Sequence, residues 1–281
     1  MKLRKLLFVL PNLFTVSSIF CGFYALTLCC GEASSLQLFQ AAVAILFGIF
    51  FDGCDGRVAR LTKTQSAFGM ELDSLADVIT FGVAPGMLIY KWALHDFGVV
   101  GIFIAFAFTA CGALRLARFN VLAQRSGSGG GDAYFVGLPI PIAAAMLVAL
   151  VITHHAMLGG TLGTWAYLPV AVITCVLALM MVSTIRYRTF KKVGLSKKSA
   201  SVFAGIAGFC VLVAMKFHPA FLLIALPAAY LAFGLVESGV LLRRHFVTRG
   251  KDGTAVLTAV DDDDDDDVEE DDDSDDEADL A

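Results

Sequence analysis

Long apolar runs constrain the fold of this chain more than any other feature of its sequence. Of its 281 residues, 57% are hydrophobic, which is too many for an ordinary soluble domain. Each run is close to the ~20 residues that cross a bilayer as a helix. We predict an all-α, polytopic membrane helical bundle of about eight transmembrane helices. The expected spans are 11–31, 36–57, 71–93, 97–117, 137–157, 164–185, 199–216 and 218–242.

The distribution of basic residues supports this count. Lys and Arg accumulate in the short cytoplasmic segments of membrane proteins. With the N-terminus inside, 19 of the 21 Lys and Arg residues fall in inner segments, and Lys91 and Lys216 are the exceptions. The pattern therefore predicts that both termini are cytoplasmic.

Acidic residues divide the chain into two parts. Positions 252–281 hold 17 of the 26 acidic residues and no Lys or Arg. Such a segment cannot bury enough apolar surface to fold. We predict a membrane domain at 1–245 and a disordered acidic cytoplasmic tail at 246–281. The sequence has no nucleic-acid-binding motif, and we expect the inner basic residues to meet anionic membrane lipid.

Four of the remaining acids are concentrated between two apolar runs. Asp52 and Asp55 are three residues apart, and Asp73 and Asp77 are four apart, so each pair would share one face of a helix. Ionisable groups beside apolar spans usually face a cavity or a partner. Four converging carboxylates repel one another unless a cation lies among them. Carboxylate oxygens suit hard divalent ions such as Mg²⁺, Mn²⁺ or Ca²⁺.

Two other interpretations of these acids stay open. The carboxylates could be solvated at helix ends or paired with nearby basic residues, namely Arg57, Arg60 and Lys63. The chain could also be a divalent-cation transporter, because acids within spans line ion paths. A transporter would spread its acids through the depth of the membrane, whereas these acids are concentrated at one expected face.

The same stretch resembles the signature of the CDP-alcohol phosphatidyltransferase family. It reads D-G-C-D-G-R-V-A-R at 52–60, then eight residues, then G-M-E-L-D-S-L-A-D at 69–77. The fixed positions of the signature are all filled, by Asp52, Asp55, Gly56, Ala59, Arg60, Gly69, Asp73 and Asp77. The resemblance implies transfer of a phosphatidyl group from a CDP-linked lipid to an alcohol, with release of CMP.

The resemblance also implies a role for each of these residues. The four aspartates would hold the divalent metal, Mg²⁺ or Mn²⁺, as one ion or two, and Asp77 would be the general base. The CDP moiety would be contacted by Gly56, Ala59, Arg60 and Gly69. From the residues alone, either Asp73 or Asp77 could accept the proton of the acceptor hydroxyl.

Further stretches resemble the phosphatidylserine synthase branch of that family. They are P-N-L-F-T (11–15), F-G-V-A-P-G (81–86), R-L-A-R-F-N (115–120) and F-V-G-L-P-I-P-I-A-A-A (135–145). This branch implies CDP-diacylglycerol as donor and L-serine as acceptor, although glycerol 3-phosphate, inositol phosphate or another alcohol stays open. Arg115 and Arg118 could bind the acceptor carboxylate and Asn120 could orient it, the alternative for the arginines being topological anchoring.

Three further expectations follow. The resemblance implies a homodimer. We expect an integral protein of the cell (inner, cytoplasmic) membrane whose active site faces the cytoplasm. Asn12 and Thr15 could direct polar groups toward that site, with helix capping as the alternative.

Overall fold

The computed structural model describes residues 2–62, 64, 66–125, 134–159, 162–183, 186–188 and 221–232. Within these residues the chain is helical apart from one short ribbon of two strands. The helices are α1 (Lys2–Cys29), α2 (Ser35–Thr62), α3 (Ala67–Asp77), α4 (Ala84–Ile89), α5 (Val99–Arg125), α6 (Ile140–Leu158), α7 (Thr164–Val182) and α8 (Phe221–Ala232). The prediction of an all-α bundle is confirmed.

The ribbon connects the two ends of the α6–α7 pair. Strand β1 (Tyr134–Val136) precedes α6, and strand β2 (Arg186–Arg188) follows α7. The two strands are antiparallel, with Phe135 opposite Tyr187. The ribbon therefore brings together the segments that enter and leave this helical pair.

Six helical regions are long and apolar enough to cross a membrane, so the chain is an integral membrane protein. They are Leu10–Cys29, Ser35–Thr62, Ala67–Phe97, Val99–Leu122, Ile140–Leu158 and Trp165–Val182. They correspond in order to the first six predicted spans. The predicted span at 199–216 and the acidic tail at 246–281 lie outside the described residues, and 218–242 is described only at α8. The count of eight and the position of both termini stay predictions.

The third membrane region is an interrupted helix. Asp77 is the last residue of α3, and a π-helical segment, Val78–Val83, follows it directly. The chain returns to α-helix at α4, where Pro85 lies in the first turn and offers no N–H to the carbonyls of the preceding π-helical segment. A second π-helical segment, Tyr90–Leu94, and a short 3₁₀ turn, His95–Phe97, complete the region. π-Helical turns inside α-helices are frequent at functional sites.

A buried threonine from the first π-helical segment packs tightly between α1 and α2. The Thr80 hydroxyl donates a hydrogen bond to the Ser18 carbonyl at 3.0 Å. A Cβ atom on Gly22 would lie 2.8 Å from the Thr80 Cα, and one on Gly48 would lie 2.6 Å from the Thr80 Cγ2. Small residues at membrane helix contacts allow this close approach. The contact holds α1, α2 and the third region together one turn beyond Asp77.

This packing predicts the effect of a single methyl group. Gly22→Ala should destabilise the protein by about 1–3 kcal/mol, because the new Cβ would meet the backbone of Thr80. The measurement is the midpoint of thermal unfolding in detergent micelles. Gly53→Ala is the matched control, since a Cβ there meets nothing within 4 Å and the exposed helical position favours Ala. Equal midpoints for the two variants would contradict the packing described.

Candidate active site

Three carboxylates from two helices meet at one end of the bundle. Asp52 and Asp55 lie near the C-terminal end of α2, and Asp73 lies in α3. One carboxylate oxygen from each can be chosen so that all three lie within 4.8 Å of one another. Asp55 is buried, with 6% of its surface exposed, and the other two are half-buried. Like charges this close and this shielded from water repel strongly.

The fourth predicted aspartate lies deeper, beside this cluster. Asp77 is only 9% exposed, and its carboxyl group lies against that of Asp52. Among the described residues, its buried Oδ1 atom has no hydrogen-bond partner. A buried carboxylate oxygen without a donor is costly unless a ligand or ion completes it. Asp77 therefore lies next to the three-carboxylate cluster but is not one of its three members.

The chemistry of these donors fits a divalent cation. The cluster offers only hard oxygen ligands, which suit Mg²⁺, Mn²⁺ or Ca²⁺ rather than metals that prefer sulfur. A cation would remove the repulsion among the three carboxylates. Asp77, whose carboxyl group is hydrogen-bonded to that of Asp52, also has an oxygen without a donor. The site can hold a metal ion.

A hydroxyl group from α1 orients one of the carboxylates. Thr15, which is buried, donates a hydrogen bond to Asp55 Oδ2 at 2.8 Å, and its Oγ1 also lies 3.2 Å from the Pro11 carbonyl. The expectation that Thr15 directs a polar group toward the site is confirmed. Partners that hold a metal-ligating carboxylate in place typically tune metal affinity.

A cavity of about 220 Å³ opens beside the cluster. Its wall includes the four residues predicted to contact CDP, which are Gly56, Ala59, Arg60 and Gly69. Asp55 and Asp73 line the same cavity, so it is continuous with the carboxylates. The folded chain therefore brings all four residues to one place, next to the candidate metal ligands.

The wall at Gly69 is built by the start of α3. Ser66 is the N-cap residue of this helix, and its hydroxyl accepts a hydrogen bond from the Gly69 N–H at 3.0 Å. A Cβ atom on Gly69 would lie 3.2 Å from the Ser66 Oγ and 3.5 Å from the Asn12 Oδ1. A side chain at this position would crowd the Ser66 hydroxyl and would contact the Asn12 amide at the edge of the cavity. The amide of Asn12 thus also faces the site, as expected.

Arg115 on α5 lies near Asp77. The side chain is 7% exposed and lies within electrostatic range of Asp77 and of Tyr230 on α8. Its guanidinium carbon lies 5.8 Å from the centre of the Phe119 ring. The buried Nε atom has no hydrogen-bond partner among the described residues. A buried N–H donor without a partner is suited to an anionic ligand.

The other two predicted acceptor ligands are engaged with protein groups. Arg118 donates hydrogen bonds to the carbonyls of Val182 and Ser183, both at 3.1 Å, where α7 ends. Asn120 Nδ2 donates to the Ser74 hydroxyl at 2.9 Å, which links α5 to α3 between Asp73 and Asp77. Their role toward an acceptor stays a prediction.

Two residues near the site were not singled out by the sequence. Ser74 lies inside the signature at a position where the signature fixes no residue type. Tyr230 lies more than a hundred residues beyond Arg115 in an ordinary apolar stretch. Only the folded arrangement brings them to α5.

Comparison with known proteins agrees with this geometry. The family described as CDP-alcohol phosphatidyltransferase matches residues 8–177. A CDP-diacylglycerol–serine O-phosphatidyltransferase of Helicobacter pylori is 40% identical over 235 residues, which are 82% of this chain and 91% of that protein. An enzyme of the same name from Bacillus subtilis is 37% identical over 186 residues, 65% of this chain and 92% of that protein. An archaetidylserine synthase of Methanothermobacter thermautotrophicus is 35% identical over 189 residues, which are 66% of this chain and 72% of that protein.

The hydrogen bond from Thr15 predicts a change in metal binding. Thr15→Val keeps the shape of the side chain but removes the donor to Asp55, so the dissociation constant for Mn²⁺ should rise by about 10-fold or more. The measurement is a titration of free Mn²⁺ by electron paramagnetic resonance. Thr27→Val is the matched control, because Thr27 lies on the same helix, is exposed and bonds only its own helix at the Tyr24 carbonyl. Unchanged affinity in Thr15→Val would show that this hydroxyl does not position a metal ligand.

Proposed function

The chain belongs to the CDP-alcohol phosphatidyltransferase family, and from this premise we propose that it is a CDP-diacylglycerol–serine O-phosphatidyltransferase. It transfers a phosphatidyl group from CDP-diacylglycerol to the hydroxyl of L-serine, giving phosphatidylserine and CMP. The observation that carries the choice of serine is the relative of that name, which aligns with 82% of the chain. The grouping of six of the eight signature residues around one cavity supports the donor.

The donor's nucleotide end would lie in the cavity beside the carboxylates. Gly56 and Ala59 carry little or no side chain there, which leaves room for a flat base or a ribose. Arg60 lines the same cavity, and its guanidinium can neutralise a diphosphate through two parallel hydrogen bonds. Gly69, which has no side chain, keeps its part of the cavity wall open.

We assign Asp52, Asp55, Asp73 and Asp77 as the ligands of one or two divalent ions, Mg²⁺ or Mn²⁺. Such ions polarise phosphoryl oxygens and neutralise charge on the leaving CMP. The support is the 4.8 Å grouping of three of these carboxylates and the orphaned oxygen of the fourth. Thr15 then acts by orienting Asp55.

Asp77 is the proposed general base. In the transfer, the serine oxygen forms a bond to the phosphatidyl phosphorus, the bond from that phosphorus to the CMP oxygen breaks, and CMP leaves with the electron pair. The serine hydroxyl proton passes to the Asp77 carboxylate. We assign this role to Asp77 rather than Asp73 because Asp77 is within electrostatic range of both the acidic cluster and Arg115.

Arg115 is the proposed ligand of the serine carboxylate. Its buried guanidinium faces Asp77, so a carboxylate held there would bring the serine hydroxyl near the base. Arg118 would act indirectly, by holding the end of α7 against α5. Asn120 would act in the same indirect way through Ser74, which follows Asp73 in α3.

We also propose the setting of the enzyme. The carboxylates lie at the same end of the bundle as Arg57, Arg60 and Arg118, so the positive-inside rule favours a site that faces the cytoplasm of the inner membrane. Free serine and divalent ions would reach it from there, while the donor arrives from the bilayer. A homodimer is proposed on the resemblance to the family.

A divalent-cation transporter is the alternative from a different class. It would need acidic groups along a path through the bundle. Among the described residues, the four grouped aspartates lie at one end, and Asp96 lies at the other, paired with exposed His95 at 2.8 Å. No described carboxylate lies between them within the third region. The arrangement favours chemistry at one membrane face.

The central test is an assay of purified protein with CDP-diacylglycerol and labelled serine. CMP and labelled phospholipid should form in equal amounts and only when Mg²⁺ or Mn²⁺ is present. Asp77→Asn should lower kcat by about 10²–10⁴-fold, as expected for a lost general base. Glu71→Gln is the matched control, because Glu71 is an exposed acid on the same helix at a position where the signature fixes no residue type.

The acceptor is tested in the same assay with glycerol 3-phosphate and inositol phosphate in place of serine. A higher kcat/KM with either of them would refute serine as the acceptor while leaving the family chemistry intact. Metal-independent turnover would refute the proposed role of the carboxylates.

The two arginines predict different defects. Arg115→Gln should raise the KM for serine by about tenfold or more, because a charge-assisted hydrogen bond is lost, and should leave the KM for CDP-diacylglycerol unchanged. Arg118→Gln removes two hydrogen bonds to the end of α7, so it should lower the midpoint of thermal unfolding with little change in the KM for serine. If both variants raised the serine KM equally, Arg118 would be a direct ligand as well.

A further inference from the structure

A small polar cavity lies at the end of the bundle opposite the carboxylates. Its volume is about 190 Å³, and its wall is built by the start of α2, the end of the third region and the start of α7. Ser35 in this wall and Asp55 in the catalytic site are twenty residues apart on α2, which corresponds to about 30 Å along a helix. The two cavities are therefore separated by about the thickness of the hydrocarbon core.

Aromatic residues place this second cavity at the level of lipid headgroups. Trp92 and Tyr167 line its wall, and Trp165, two residues before Tyr167, is 79% exposed. Trp92 and Trp165 are the two tryptophans of the chain. Because Trp and Tyr concentrate where the membrane meets water, a phospholipid headgroup at this depth lies beside the cavity.

Lys91 supplies a positive charge to the cavity wall. Its Nζ donates a hydrogen bond to the Gly31 carbonyl at 2.9 Å, which uses one of the three N–H groups of an ammonium. Within the part of the chain that the structure describes, Lys91 forms no ion pair, whereas the Asp96 carboxylate lies 2.8 Å from His95 Nδ1. An ammonium that lines a cavity without an anionic partner suits an anionic group such as a phosphate.

Asp96 supplies a negative charge to the same wall. The Tyr167 hydroxyl lies beside its carboxylate, and 49% of the Asp96 side chain is exposed. Glu32, exposed on the turn before α2, adds a second negative charge outside the wall. These carboxylates would repel a ligand with a net negative charge. A ligand that carries both charges would find a partner for each, in Lys91 and in Asp96.

We propose that this cavity binds the headgroup of a zwitterionic phospholipid that carries a primary amine. The phosphate lies beside Lys91, and the ammonium lies beside Asp96. The volume is below the ~300 Å³ at which pockets for drug-sized ligands begin, so the cavity admits a headgroup but not a hydrocarbon chain. The chains lie outside, against side chains such as Leu36 and Leu168, which are 55% and 65% exposed and adjoin cavity residues in the sequence.

Such a lipid would join three parts of the fold. Lys91 already links the end of the third region to the turn between α1 and α2, through the Gly31 carbonyl. Tyr167 brings the start of α7 to Asp96. A phosphate beside Lys91 adds a charge-assisted hydrogen bond to this junction. The site goes beyond the proposed reaction, since it involves neither the donor nor the acceptor.

Tryptophan fluorescence tests the location, because Trp92 lines the cavity. Trp165→Phe leaves Trp92 as the only tryptophan. This protein is placed in phosphatidylcholine vesicles with a fraction of phosphatidylethanolamine or phosphatidylglycerol whose chains are brominated near the headgroup, since bromine quenches a tryptophan that it contacts. The binding constant relative to phosphatidylcholine should be about fivefold higher for phosphatidylethanolamine and should be below one for phosphatidylglycerol. Equal constants for the two lipids, or a higher one for phosphatidylglycerol, would overturn the proposal.

Substitutions in the same background separate the two charges. Lys91→Gln should lower the constant for phosphatidylethanolamine about fivefold, and Lys91→Arg should retain it. Asp96→Asn should remove the discrimination against phosphatidylglycerol. Glu32→Gln is the matched control, because Glu32 is an exposed acid at the same end that does not line the cavity, and it should leave the order of the two lipids unchanged. An unchanged constant in Lys91→Gln would refute the phosphate site.

Soluble compounds distinguish a lipid headgroup from a free phosphate. Inorganic phosphate or phosphoethanolamine, added in large excess over the brominated lipid, should not relieve the quenching, because neither has chains that hold it at the membrane surface. Relief by either compound would overturn the assignment to a lipid and indicate a site for a soluble phosphate. If the Lys91 variants do not fold, the order of the two lipids on the protein with Trp165→Phe alone decides. Because the measurement uses no CDP-linked donor and no serine, its failure would leave the proposed function standing.

Discussion

Electrostatic repulsion among carboxylates at the edge of a hydrocarbon layer is the constraint on which the rest of this structure depends. Three aspartates from two helices hold oxygens within 4.8 Å of one another, and a fourth is buried beside them. Without a cation or bound protons, this repulsion would act to push α2 and α3 apart. The fold must therefore supply enough packing to keep the helices together, and a cation or protons must lower the negative charge of the site.

The packing that resists this repulsion lies directly below the acids. Thr80 fits between glycines of α1 and α2, and its hydroxyl bonds the backbone of α1. Thr15 ties α1 to Asp55 at the level of the cluster itself. Both contacts involve α1, so this helix supports the site although none of the four acids belongs to it. The proposed binding of metal and nucleotide would then occur in a pre-organised frame.

The pairing of the acids within each helix could be predicted because their spacing is local, whereas the cavity residues were predicted from the resemblance to the family. Within a helix, a separation of three or four residues determines which side chains share a face, so spacing alone places Asp52 with Asp55, and Gly69 with Asp73. Contacts between segments that are far apart in the sequence leave no characteristic spacing from which they could be predicted. The engagement of Arg118 with the end of α7 depends on how α5 packs, and the approach of Tyr230 to Arg115 depends on a helix far along the chain. The six described spans were predictable from hydropathy, but the π-helical interruptions were not, because apolar composition does not distinguish an α turn from a π turn.

Those π-helical interruptions allow the two halves of the third region to take different rotational settings about the helix axis. A π turn closes its hydrogen bonds over five residues rather than four, so the segment after Asp77 is shifted in phase relative to a regular helix. The rotational setting of the acidic half is thereby uncoupled from that of the apolar half. Each half can fit its own neighbours, the first facing polar reactants and the second facing the interior of the bundle. A regular helix would have to compromise between these two orientations, whereas this one accommodates both within a single crossing of the membrane.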